Sequence, residues 1–343
     1  MTSAQTVCFC LGTWQLAILA AARASEAGPA HLCVYESAGS ASLLAATGRL
    51  AHSIGRWSSV AVVDLPLSPP ARSDQPLEQR IAALHRLHPP GIVDEVWLCK
   101  VAHFSEKVVL AAYPSARVVL YEDGLGLYRD VTFAEMDGST GTWLVDDRTY
   151  RRDVERIAEA RLFLAGALGV PTFLSARRHV AIEADKLRSV LRAMREAAHI
   201  GFAGLAADSV VVLEQNFARW RYMDSEAERQ LYEGVTTDLV AGGFRPVVKP
   251  HPRGARLASS KIQELPLPPT MPVELLADEL VDLPVAAATS TALVTLPLLG
   301  CQRVLSFADR MPPPLPDSTE ARLVSRTATP FDHWLETIAE RRT

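Results

Sequence analysis

The chain contains little cysteine and no pattern by which cysteine would organise it. Its five cysteines, Cys8, Cys10, Cys33, Cys99 and Cys301, are odd in number and show no CxxC spacing, which argues against a disulfide framework and a thiolate zinc site. Four lie in apolar, strand-like runs, so buried free thiols in a reducing compartment are expected. Long apolar runs are missing too, and none reaches the length a membrane span needs. Residues 7–22 are apolar, but Gly12, Thr13 and Gln15 interrupt them and no basic segment precedes them, so they do not read as a secretory signal. Excess charge is small: a net charge of −4 and a pI near 6.2 argue against nucleic acid as the main partner. The expectation is a cytoplasmic protein, with peripheral contact to the inner membrane and the oligomeric state left open.

What is present is a large apolar fraction in a long chain. With 343 residues, 48% hydrophobic and 22% charged, the composition is that of a globular protein with two domains of ordinary size or one large one. Strand-like runs at 7–11, 31–35, 59–65, 92–98 and 116–121 alternate with helical patterns at 14–27, 40–54, 79–87 and 102–113. That alternation predicts an α/β protein with a mostly parallel sheet covered on both faces. A Pro-rich loop is read at 66–76 and a polar, irregular stretch at 131–149. Residues 150–169 and 182–199 read as helices around a short apolar piece at 170–174. Between 151 and 196 there are ten basic side chains against six acidic ones. This reads as a solvated face, with a track for an anionic acceptor or for lipid headgroups as the alternative. Small residues at 201–207 mark a boundary, and a second series follows, with strands at 209–213, 244–248, 284–288 and 302–307. A helix at 225–241 closed by Gly242-Gly243, a loop-rich stretch at 253–272, a helical turn after Pro272 and an amphipathic helix at 331–342 complete it. The expected organisation is a Rossmann-like domain over 1–200, a second over 208–327, and a terminal helix over 328–343 that crosses back.

Chemistry-bearing residues collect where the expected strands end, the edge of an open α/β sheet at which ligands bind. Val247 and Val248 run into Lys249-Pro250-His251-Pro252. The prolines cannot donate ladder hydrogen bonds, so the strand stops there and His251 is held between two fixed-φ residues. A rigidly presented imidazole with an ammonium two residues earlier suits a phosphate-bearing ligand, and a proline-rich turn with an incidental histidine is the plainer alternative. After the strand at 116–121 come Glu122-Asp123-Gly124-Leu125-Gly126. Adjacent carboxylates repel each other, one way to prepare a general acid or base. The glycines permit a tight turn and a close approach, although a self-solvated acidic turn explains the same residues. Thr289-Ser290-Thr291 stands before an apolar helix beginning at Ala292. Hydroxyls there are ordinary N-caps or, with free helix amides, a phosphate seat. Gly12-Thr13-Trp14-Gln15, between the first strand and helix, offers amides to a polar or anionic ligand, but the GxGxxG dinucleotide spacing is missing.

Taken in order, these motifs resemble those of bacterial sialyltransferases, most of all the capsular α-2,8-polysialyltransferases and their lipooligosaccharide sialyltransferase relatives. Tyr121-Glu122-Asp123-Gly124-Leu125-Gly126 matches the acidic-acidic-Gly motif, Lys249-Pro250-His251-Pro252 the His-Pro motif, and Thr289-Ser290-Thr291 the Ser/Thr doublet. Met271-Pro272-Val273-Glu274 resembles the Pro-x-Glu element between the last two. Gly12-Thr13-Trp14-Gln15-Leu16 is similar to the first loop, with Trp14 where the family more usually has proline. Each match is short, and their order and spacing from 12 to 291 carry the resemblance.

The resemblance implies a GT-B fold, two Rossmann-like domains facing across a cleft, with the first on the acceptor side and the second binding a CMP-sugar. It implies inverting, metal-independent transfer of sialic acid or a related nonulosonate from a CMP-activated donor to a glycan hydroxyl, with no cofactor besides that donor. Glu122 would be the general base. Asp123, its neighbour in the acidic pair, would bond the amides of its own turn. Side chains alternate along a strand, so the two carboxylates should point apart, and which of them is the base stays open. His251 would contact or protonate the departing CMP phosphate. Ser290 and Thr291 would hold that phosphate, with Thr289, Lys249 and Pro252 beside them, and Glu274 would hold the ribose or cytosine. Gly12, Thr13, Gln15 and Gly124 would complete the substrate site. A transferase of CMP-Kdo or of a polyol phosphate has a similar skeleton. The polyol-phosphate enzymes usually carry an aspartate before the doublet, where this chain has Ala286-Ala287-Ala288. A catalytically inactive nucleotide- or glycan-binding relative is the remaining alternative.

Overall fold

The computed structural model describes residues 5–26, 28–35, 41–63, 77–100, 104–128, 147–202, 204–218, 222–252, 262–312 and 318–342. The Pro-rich loop read at 66–76, most of the polar stretch at 131–149 and the first part of the loop at 253–272 lie outside them. The chain divides into two compact units. One comprises Met1–Asp123, Asp130–Ala165 and Val170–Ala198, and the other Gly124–Arg129, Gly166–Gly169 and His199–Thr343. Two segments from the N-terminal half of the chain therefore belong to the second unit.

The first unit is a seven-stranded parallel sheet. Its strands are β1 (Gln5–Cys10), β2 (Ala30–Tyr35), β3 (Ser59–Val63), β4 (Val93–Leu98), β5 (Arg117–Tyr121), β6 (Ile157–Leu162) and β7 (Arg178–Ala181), in the order β3-β2-β1-β4-β5-β6-β7. Val7, Cys8, Phe9 and Cys10 in β1 and Val118 to Tyr121 in β5 are buried without alternation, as strands covered on both faces must be. The helix Thr13–Ala22, which follows β1, is buried at all but two of its positions, and its Ala- and Leu-rich surface has no polar face. It packs on the helix Ala184–Ala197, whose buried Leu187, Val190, Leu191 and Met194 recur at helical spacing.

The second unit repeats the plan with six parallel strands: β8 (Ser209–Leu213), β9 (Arg245–Lys249), β10 (Gln263–Glu264), β11 (Val285–Ala287), β12 (Val304–Ser306) and β13 (Thr329–Pro330), in the order β10-β9-β8-β11-β12-β13. The helix Ser225–Ala241 starts where Asp224 Oδ1 accepts the Ala227 amide at 2.7 Å and ends at Gly242-Gly243, with Gly243 at φ 77°. Its Tyr232, Val235 and Leu239 meet Val210, Val212, Val248, Leu305 and Phe307 in one core. The terminal helix Phe331–Arg342 adds Phe331 to that core, edge-on to Phe307, and sets Trp334 against Phe244. Both sheets reverse direction beside their first strand, between β1 and β4 and between β8 and β11. These are two Rossmann-like α/β domains of the GT-B class.

Four strands, β6, β7, β10 and β13, are additions to the sequence reading. Residues 150–169 hold a helix, Asp147–Glu155, then β6 and a single turn at Ala165–Leu168, where one helix was expected. The sequence of β6, Ile-Ala-Glu-Ala-Arg-Leu, is made mostly of helix formers. Pairing with β5 and β7 overrides that preference, and Glu159 of β6 is ion-paired with Arg117, Arg161 and Arg178 of β5, β6 and β7. The local basic excess is thus partly neutralised in place; Lys186 with Glu183 and Arg188 with Asp185 add further pairs on the helix Ala184–Ala197. All five cysteines are buried and free. Among the described residues no helix is long and apolar enough to cross a membrane.

Phe331 is 1% exposed in the core of the second unit. Phe331→Ala should cost about 3–5 kcal/mol of stability, measured by urea unfolding followed through tryptophan fluorescence, and a loss under about 1 kcal/mol would mean that the terminal helix does not anchor this unit.

Candidate active site

In the first unit the ends of β1, β4 and β5 bring three polar side chains together. Asp123 Oδ2 pairs with Lys100 Nζ at 2.7 Å, and Asp123 Oδ1 accepts from Gln15 Nε2 at 2.5 Å. Gly12 leaves room for this: a Cβ there would lie 2.9 Å from Gln15 Oε1, so a larger residue would push the end of the glutamine aside. Thr13 beside it is buried. Lys100 was not singled out in the sequence, since nothing local marks a lysine after β4 as the partner of an acid after β5.

Glu122 and Asp123 point apart. Glu122 has no exposed surface, and its Oε2 accepts the amides of Phe163 and Leu164, both at 2.8 Å, where the chain leaves β6. The Asp123 side chain keeps 11% exposure. Asp123 was expected to cap its own turn, yet its partners are Lys100 and Gln15. The turn is shaped by Gly124 at φ 109°, a conformation that disfavours any residue with a Cβ. Of the acidic pair, Glu122 therefore organises backbone and Asp123 is the carboxylate within reach of solvent.

In the second unit the ends of β8, β9 and β11 carry the remaining motifs. Thr289 Oγ1 accepts from Gln215 Nε2 at 3.3 Å, Ser290 Oγ from the Ala292 amide at 3.2 Å, and Thr291 Oγ1 from the Leu125 amide at 3.2 Å. A hydroxyl has one proton to donate besides its acceptor capacity. Each of the three is thus engaged as an acceptor, and none donates to another described residue. The expected free helix amides are not found. The helix Ala292–Leu298 has seven residues and contains Pro297, and the amides of Ala292, Leu293 and Val294 already bond Ser290 Oγ, Ser290 O and Thr291 O. The three hydroxyls are donors this loop offers in place of those helix amides. Gly124 fits against Thr291, since a Cβ there would lie 2.8 Å from Oγ1.

Lys249 ends β9 and is 7% exposed, with Nζ donating to Pro269 O at 3.2 Å. Burial lowers its pKa from 10.5 to about 8, opposed by the charge of Glu274. His251 and Pro252, which follow, are half-buried. Glu274 sits in a short turn after Pro272, 5% exposed, and Thr295 Oγ1 donates to its Oε1 at 2.6 Å. Burial raises the Glu274 pKa, while the Thr295 hydrogen bond and Lys249 oppose the rise. A nucleoside meeting Glu274 would find one carboxylate oxygen already engaged.

Glu122→Ala should strand two buried amides and cost about 1–3 kcal/mol for each, whereas Glu122→Gln keeps an acceptor and should cost less; urea melts of the two variants check the order. Lys249 titrates near 10.5 when unfolded and near about 8 when folded, so between those values the unfolded chain binds more protons and stability rises with pH. Relative to Lys249→Met, the wild type should gain up to about 1.4 kcal/mol per pH unit across that window, and parallel stability curves would contradict the shift.

A family model described as alpha-2,8-polysialyltransferase (POLYST) matches residues 6–306. No curated protein matches the chain. Among solved structures, the chain is similar to UDP-GlcNAc 2-epimerase from Methanocaldococcus jannaschii, with 10% identity, a TM-score of 0.55, and coverage of 98% of this chain and 92% of that one. It is likewise similar to UDP-N-acetylglucosamine 2-epimerase from Rickettsia bellii, with 11% identity, a TM-score of 0.53, and coverage of 89% and 79%. Identity that low shows a shared fold and nothing of the reaction. The family match runs from β1 to β12 and includes every motif described above, and on it the chain belongs to the alpha-2,8-polysialyltransferase family, a sialyltransferase that takes a sugar donor and a glycan acceptor.

Proposed function

We propose that the protein transfers sialic acid, or a related nonulosonate, from its CMP-activated form to a glycan hydroxyl with inversion and without a metal ion. The observation that carries this reading is the polarity of Thr289, Ser290 and Thr291. All three hydroxyls accept hydrogen bonds from protein N–H groups, so their own protons are left for an acceptor-rich ligand, and a phosphate is such a ligand. Asp123 supports the other half of the reaction. It is the accessible member of the acidic pair, and Lys100 and Gln15 orient its carboxylate.

In this reading the acceptor oxygen attacks the anomeric carbon of the donor as the bond to the phosphate oxygen breaks. The acceptor proton passes to Asp123, and the bonding pair leaves with CMP. The transition state carries positive charge on the sugar and growing negative charge on the phosphate, which the three hydroxyls and His251 stabilise. Lys249 contributes a buried positive charge, and Glu274 meets the nucleoside through its second carboxylate oxygen. Glu122, expected from the sequence to be the base, is assigned the backbone role that its two amide bonds define.

Purified protein should release CMP from CMP-sialic acid when offered a sialylated glycan, and should do so in the presence of EDTA. Asp123→Asn should lower kcat by about 10²–10⁴-fold with little change in CMP affinity, since proton removal belongs to the transition state. Loss of turnover in Glu122→Gln with a normal fold, beside a tolerated Asp123→Asn, would exchange the two roles. Turnover of CMP-Kdo alone would replace the donor.

A further inference from the structure

Beyond β8 the chain turns through Glu214-Gln215-Asn216-Phe217, and the helix Ser225–Ala241 holds that turn. Tyr232 Oη accepts the Gln215 amide at 2.7 Å, and Glu228 accepts the amides of Phe217 at 2.5 Å and Ala218 at 3.1 Å. From this fixed backbone the Gln215 side chain spans the switch point to the end of β11. Its Oε1 accepts the Thr289 amide at 2.8 Å and its Nε2 donates to Thr289 Oγ1 at 3.3 Å. The orientation is dictated by chemistry: the backbone N–H can only donate, so the carboxamide oxygen must face it and the nitrogen must face the hydroxyl.

We infer that Gln215 is a positioning residue for phosphate recognition. It fixes the backbone of Thr289 and sets the direction of its hydroxyl proton, so that the loop presents donors to the phosphate of the nucleotide. The inference rests on the phosphate seat proposed above. Glutamate at this position would have no proton to give. Its carboxylate would accept from both the Thr289 amide and the Thr289 hydroxyl, turning that proton inward and adding a negative charge beside the phosphate. Alanine would release the loop without reversing it.

Calorimetric titration of the full chain with CMP and with cytidine tests the inference. In Gln215→Glu the Kd for CMP should rise about thirtyfold or more while that for cytidine stays unchanged. In Gln215→Ala the rise for CMP should be about three- to tenfold. Thr289→Ser should keep CMP affinity and Thr289→Val should lose about as much as Gln215→Ala. The double variant Gln215→Ala/Thr289→Val should be no weaker than the worse single one, because both remove one arrangement. Equal loss of CMP and cytidine would show a general structural role and overturn the inference. So would wild-type CMP binding in Gln215→Glu while Ser290→Ala is weakened, a result that leaves the seat itself standing. If Ser290→Ala and Gln215→Glu both bind CMP like the wild type, the phosphate seat fails and the inference falls with it. Should Gln215→Glu not fold, the Thr289 pair decides, and CMP affinity unchanged in Thr289→Val overturns the inference.

Discussion

A parallel sheet covered on both faces leaves backbone amides at the carboxyl ends of its strands, where the ladder stops and water does not reach. Such groups must find acceptors. Each unit solves this with one buried glutamate that accepts two successive amides. Glu122 takes Phe163 and Leu164 beyond β6, and Glu228 takes Phe217 and Ala218 beyond β8. Burial raises the pKa of Glu228 while its two amide bonds oppose the rise, so the carboxylate stays useful as an acceptor because it is hydrogen-bonded. These carboxylates hold loops in place, and the loops in turn hold the side chains with chemistry to offer.

Counting donors and acceptors also separates the two units by the ligand each suits. At the switch point of the first, an acid, an ammonium and an amide compensate one another, and the one carboxylate retains access to solvent. At the switch point of the second, the hydroxyls of Thr289, Ser290 and Thr291 each accept from a protein N–H. In the proposed reaction the first would receive a proton and the second would give hydrogen bonds. Those are the two tasks of glycosyl transfer from a phosphate leaving group.

Much of this was legible in the chain. Continuous apolar runs such as Val118 to Tyr121 declared buried parallel strands, and Pro250 and Pro252 declared where β9 stops. The acidic pair was expected to diverge, and it does. Which carboxylate turns inward depended on the register of β5 against β6, which no local pattern reveals. β6 and β7 stayed hidden because charged residues there are stabilised by partners on neighbouring strands, as Glu159 is by Arg117 and Arg178. The roles of Lys100 and Gln215 were invisible for the same reason: each acts on a residue far along the chain. The seven-residue helix after Thr291 corrected a different kind of expectation, since its first amides are occupied within its own turn.

The placement of positive charge bears on how a product would leave. Lys249 is 7% exposed and its ammonium bonds Pro269 O, so on the proposed reading it would act on a phosphate through its field more than through contact. Its charge is partly countered by Glu274, and burial brings its pKa down to about 8. A phosphate held instead by neutral hydroxyls forms charge-assisted bonds worth about 1.5–3 kcal/mol net apiece, without the longer-range attraction of a contact ion pair. Such a seat strengthens as negative charge develops on the departing oxygen, yet it does not trap the nucleotide once the sugar has gone. In the proposed reaction, where CMP would be exchanged for a fresh donor at every turnover, donors without charge would favour the transition state over the product.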